Sequence, residues 1–171
     1  MAIIKLGTIY EVKLDNDKYV YFCRFDEFNF GLFDLVSDEK VDAKTLEKNK
    51  IIDFKSCSFL DYVDGTAKKL SIVQCDWKKV GEIDILKIKV PDMAIYDSWN
   101  QESSFNECLI LRYRIATKVT FEEYKKLVKK GFIYGSIPSG KIFKKYIIRN
   151  IDNILNNKPM DSSWDTSRFH E

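Results

Sequence analysis

The sequence predicts an α+β fold: a mainly antiparallel β-sheet, opened by an N-terminal meander and covered by C-terminal helices. Three observations predict it. As far as residue 114, apolar residues fall in short runs, period-two or continuous, separated by Asp/Asn clusters, which is strand-and-turn patterning. From Thr120 the spacing changes to three and four residues, as on an amphipathic helix. With Phe 12 and Tyr 9 against Gly 7 and Pro 3, the composition suits strands and a packed core better than extended linkers. A chain of 171 residues fits one domain, expected over residues 1–158, with a flexible tail over 159–171.

In chain order, Thr8 to Leu14 alternates apolar and polar residues and reads as a half-buried strand. Asp15-Asn16-Asp17 turns the chain. Tyr19 to Phe25 reads as a second strand, apolar on both faces at Tyr19-Val20-Tyr21-Phe22, and belongs at the centre of the sheet. Asp26 to Asn29 turns into a third strand over Phe30–Val36, completing the meander. Ser37 to Lys50 is polar, with room for one helical turn around Ala43–Leu46. Strands follow over Ile51–Cys57, Leu70–Cys75 (after a loop over Tyr62–Lys69) and Ile83–Val90. Two more near Met93–Tyr96 and Cys108–Arg114 complete the same sheet. Thr120-Phe121-Glu122-Glu123 is a capping box that starts a helix ending at Gly131. Ser139 caps a longer one whose apolar positions, Ile142, Phe143, Tyr146, Ile147, Ile151, Ile154 and Leu155, form one docking face. Both helices are expected to cover the sheet, and Trp164 is the one anchor in the tail.

Composition excludes several function classes. No window approaches the roughly 18 apolar residues that span a bilayer, and the N-terminal apolar run is too short for a signal peptide. Cys23, Cys57, Cys75 and Cys108 are widely spaced with no C-x-x-C pair, so they read as reduced thiols of a cytoplasmic protein. Net charge is +2 but uneven. Residues 1–111 hold 15 Lys+Arg against 20 Asp+Glu, whereas residues 112–149 hold 11 against 2.

Catalytic groups are scarce. The one histidine, His170, is next to the C-terminus, too poorly placed for a base or a metal ligand. Gly135 to Lys141 approaches a phosphate-binding loop, but Ile142 stands where a Mg²⁺-binding Ser or Thr is needed. The acidic pairs Asp26-Glu27, Asp38-Glu39 and Glu122-Glu123 point apart within each pair, which makes them poor acid–base dyads. No enzyme activity, metal or cofactor is expected. Lys125, Lys126, Lys129, Lys130, Lys141, Lys144, Lys145 and Arg149 offer an alternative: a basic stripe for nucleic acid, within residues 112–149. A pI of about 8.2 is low for a dedicated nucleic-acid domain.

Gly7-Thr8-Ile9-Tyr10, Leu14, Lys18-Tyr19, Phe22-Cys23-Arg24-Phe25, Phe33-Asp34-Leu35 and Ser37-Asp38-Glu39, followed by Trp77-Lys78-Lys79-Val80-Gly81, resemble in order and spacing the bacterial immunity protein 26 family of polymorphic toxin systems. The likeness covers residues 7–39 best and 70–90 next. Val20-Tyr21 departs from it, since the family often has a small residue after the second-strand Tyr. The resemblance implies a cytoplasmic antitoxin that binds a cognate toxin C-terminal domain, frequently a nuclease, and blocks it. Nuclease sites are basic, so an acidic face would complement one. Asp26, Glu27, Asp38, Glu39 and Asp42 are the candidate partner-binding residues.

Overall fold

The computed structural model describes residues 5–26, 29–57, 77–95, 108–112, 115–134, 136–137, 141–158 and 160. The meander is present: β1 (Thr8–Lys13), β2 (Tyr19–Arg24), β3 (Asn29–Ser37) and β4 (Ile51–Cys57) pair antiparallel in sequence order. β5 (Lys78–Glu82) returns to pair with β1. Asp17 makes the first turn at φ 62°, a left-handed conformation that Asp tolerates. There the Leu14 N–H donates to the Lys18 carbonyl at 2.8 Å.

β2 explains the architecture. Val20 and Phe22 point to one face, Tyr21 and Cys23 to the other, and all four are fully buried. Each large apolar side chain so buried contributes about 1.5–3 kcal/mol, so both faces need a cover. One cover is helical. Tyr146 and Ile147 of α3 (Lys141–Arg149) and Ile154 of α4 (Ile151–Leu155) pack with Tyr10, Phe22, Phe30 and Trp77.

The other cover is a second sheet, where the sequence pattern predicts one sheet only. It comprises β6 (Met93–Ile95), β7 (Leu109–Arg112), β8 (Ile115–Lys118) and β9 (Ile133–Tyr134), in the order β8-β7-β6-β9. Its Met93 and Leu111 meet Ile9, Tyr21, Cys23 and Phe33, joined by Leu46 of α1 (Ala43–Leu46). β10 (Ser136–Ile137) runs parallel to β4, giving the larger sheet the order β10-β4-β3-β2-β1-β5. The fold is therefore α+β with mainly antiparallel sheets, layered as helices, large sheet, small sheet. β1 is correspondingly buried on both faces rather than half-buried.

Other expectations also change. The strand expected over Ile83–Val90 is not formed: β5 has ended at Glu82, and a 3₁₀ turn over Ile85–Lys87 follows. Asp84 accepts the Leu86 N–H at 3.1 Å, and that local bond competes with a ladder. Ile83, Ile85, Ile88 and Val90 still face the second core, so their spacing reported burial without reporting a strand. The helix α2 (Phe121–Lys130) has its capping box and its left-handed Gly131 at φ 82°. None of its residues belongs to the helix-covered core of the large sheet, however. It lies against β6, where the Tyr124 hydroxyl donates to the Ile95 carbonyl at 3.3 Å, and none of its residues is fully buried.

The longer helix is two. Asn150, fully buried, donates its side-chain amide to the Tyr146 carbonyl at 3.0 Å and separates α3 from α4. Leu155 consequently falls outside the docking face, 55% exposed. Met160 is 2% exposed in the helix-covered core, so packing extends two residues past Lys158. The strand over 70–75, the loop over 62–69, Ser139, Trp164 and His170 lie outside the described residues.

Candidate partner-binding surface

After β3 ends at Ser37, the chain forms a loop that returns through α1. Three bonds fix it. The Glu39 N–H donates to the Ser37 hydroxyl at 3.1 Å. The Val41 N–H donates to the hydroxyl of buried Tyr21 at 2.9 Å. Asp42 caps α1, accepting the Thr45 N–H at 2.8 Å and the Thr45 hydroxyl at 2.9 Å. The Thr45 backbone bond, followed by its hydroxyl, holds the Asp42 carboxyl below its ordinary value. Burial in turn pushes the Tyr21 phenol up. The loop is ordered by bonds within its own sequence and by its tether to buried Tyr21 of β2.

Asp38, Glu39 and Asp42 are all exposed on this loop. Asp38 pairs with Lys18 at 2.7 Å while its side chain remains 82% exposed. Such a surface pair contributes about 0–1 kcal/mol, so a partner can replace Lys18 at little cost. Asp26 is elsewhere. It closes the β2–β3 turn by accepting the Asn29 N–H at 2.8 Å and the Asn29 side-chain amide at 2.6 Å. β3 runs from Asn29 to Ser37, and eight extended steps separate the two ends by roughly 26 Å. The five nominated acids therefore do not share one surface. Three gather on the loop, Asp26 serves a turn at the far end, and Glu27 lies outside the described residues.

A carboxylate that the sequence reading missed lies beside this loop. Glu11, 5% exposed, has Lys40 Nζ at 3.7 Å, and Lys40 also stands 5.8 Å over the Tyr19 ring. Its position in the β1 alternation suggested a solvated side chain, and the cover comes from a loop about thirty residues further on. No local signal reports such a contact.

The basic residues are likewise divided. Lys125, Lys126, Lys129 and Lys130 belong to α2 at the small sheet, whereas Lys144, Lys145 and Arg149 belong to α3 on the opposite face of the large sheet. Lys144 is directed to Asp15, 3.9 Å away, with its side chain 18% exposed. The single stripe of the alternative reading is not formed, because the two helices belong to different layers. Among the described residues no group of three or more His, Cys, Asp or Glu could hold a metal ion, and no helix is long and apolar enough to cross a membrane. A shallow pocket of about 210 Å³ lies between Lys50, Ile51, Lys89, Pro91, Phe132 and Asn157, without a carboxylate or thiol in its lining.

No protein-family profile, curated protein or solved structure matches the chain.

Proposed function

We propose that the protein is a cytoplasmic immunity protein, which binds the C-terminal domain of a cognate toxin and neutralises it by contact, without catalysing a reaction. The observation that carries this reading is the acidic loop over residues 37–42, ordered before any partner arrives, with Asp38, Glu39 and Asp42 exposed. A preordered surface loses little conformational entropy on binding, and its charge complements a basic, phosphate-handling site such as that of a nuclease. The likeness over residues 7–39 supports the same reading, since this loop begins within the best-matching stretch.

The test is to look beside its gene for a large secreted protein and to co-express the C-terminal domain of that protein with this chain. The domain alone should arrest growth, the pair should grow and co-purify, and Asp38→Lys with Glu39→Lys should lose the complex with the melting temperature unchanged. Absence of a complex, or growth not restored by the intact protein, would refute the reading.

A further inference from the structure

We infer that β8 is a strand-addition edge for an acidic, extended polypeptide segment. This surface is remote in sequence from the acidic loop and stands whether or not the partner is a toxin. β8 is the outer strand of the small sheet, paired with β7 alone among the described residues. The Val119 N–H donates to the Cys108 carbonyl at 2.9 Å, extending that ladder by one step. In an antiparallel ladder alternate residues turn both backbone groups the same way. Thr117 and Ile115 therefore face β7, and Ala116 turns its N–H and its carbonyl outward. The side chains leave the edge accessible, with Ile115 70% exposed and Ala116 also exposed.

An open edge with an apolar residue beside it is the template that strand addition uses, the main chain giving affinity and alternate side chains giving selectivity. The charge of the segment that carries the edge selects the occupant. Residues 112–134 hold seven Lys+Arg and two Glu. One of those two, Glu123, is turned back on the Thr120 backbone at 3.1 Å. Lys126, Lys129 and Lys130 are exposed on α2, which follows β8 directly. A second copy of the chain would bring an equally positive edge and be repelled. Nucleic acid would set phosphate oxygens against the outward Ala116 carbonyl, an acceptor against an acceptor. An acidic strand supplies both the matching donor and the matching charge.

The probe is a short fluorescent peptide alternating Glu with Val, titrated against the full chain by anisotropy. It should bind, its Lys-for-Glu counterpart should not, and N-methylation of alternate amides should weaken it by about tenfold or more. The Ala116 amide should exchange with deuterium quickly in the free protein and slowly in the complex. Ala116→Pro removes an outward donor on an edge strand, where proline is tolerated, and should weaken binding about tenfold with the thermal midpoint kept. Ile115→Glu, on the exposed face, should weaken it as well and serves if the proline variant fails to fold. The proposal is overturned if the peptide does not bind. It is equally overturned if N-methylation leaves affinity unchanged, if Ala116 gains no protection, or if a single-stranded oligonucleotide binds more tightly than the peptide.

Discussion

Gly81 of β5 lies so close to Ala43 of α1 that a β-carbon at position 81 would stand 2.5 Å from the Ala43 β-carbon. The tight approach lets the helical turn close over the outer strand and seat Leu46 in the second core, where it is fully buried. Gly81→Ala should therefore destabilise the protein by about 1–3 kcal/mol, as overpacking does. Ala43→Gly alone should cost about 0.5–1 kcal/mol. If direct contact is the cause, the double variant should be more stable than the sum of the singles, which urea denaturation of the four proteins would show.

Trp77 stacks on Phe22 with ring centroids 4.9 Å apart and meets Phe30 edge-on at 5.3 Å. It is 6% exposed, so its role is in the core rather than at a partner surface. Trp77→Ala should lower stability by about 3–5 kcal/mol, read from the denaturation midpoint. An unchanged midpoint would contradict the packing described.

The parts of the fold legible in the sequence are those that local chemistry decides. The Asp15-Asn16-Asp17 turn, the Thr120–Glu123 capping box and the Gly131 stop each use bonds within four residues, and each is where the spacing put it. The two-faced burial of Tyr19 to Phe22 announced a central strand, and β2 is inside the sheet. What local chemistry leaves open is which partner covers which face. Met93 and Leu111 are apolar in either topology, so nothing local distinguishes one sheet from two. The candidate site shows the same limit. Acidic residues in loops were legible, but whether Asp26 and Asp38 stand together depends on which end of β3 each occupies. Asn150 is a plain polar residue in a helical pattern until its amide is seen bonded to Tyr146.

Cys23 is fully buried, and burial pushes its thiol up to about 12. Thiolate is the reactive form, so at pH 8 Cys23 should resist alkylation until the protein unfolds. Mass spectrometry after a timed iodoacetamide pulse, with and without urea, would measure this. Cys108, only half-buried, should be modified sooner.

The capping carboxylates give acid sensitivity of defined sign. Asp42 is held below its ordinary 3.8 first by the Thr45 N–H, and Glu123 below its ordinary 4.5 first by the Thr120 N–H. A folded value lower than the unfolded one means stability that is fully present above the unfolded value and lost as pH falls through the folded one. Asp42→Asn keeps a capping acceptor but cannot titrate. The melting temperature of the unmodified protein should therefore decline below about pH 4 more steeply than that of this variant, a window set by the ordinary carboxylate values. Parallel curves would show that the cap does not titrate as described.

The separation of the acidic residues predicts how capture of a toxin domain should depend on each. Charges steer association over about one screening length, roughly 8 Å at physiological ionic strength. Asp26 is some 26 Å from the loop by strand length, about three such lengths. If the 37–42 loop is the docking surface, Asp38→Asn with Glu39→Gln should slow association, and more so at low salt than at high salt. Their own bonds are to Lys18 and within a turn, so the melting temperature should move little. Asp26→Ala should do the reverse. It leaves the Asn29 N–H and amide without their acceptor and so should lower stability by about 1–3 kcal/mol, with the association rate kept. Surface plasmon resonance at two salt concentrations, paired with thermal melts, separates the two effects. A rate lowered by Asp26→Ala and indifferent to Asp38 and Glu39 would move the docking surface to the opposite end of β3.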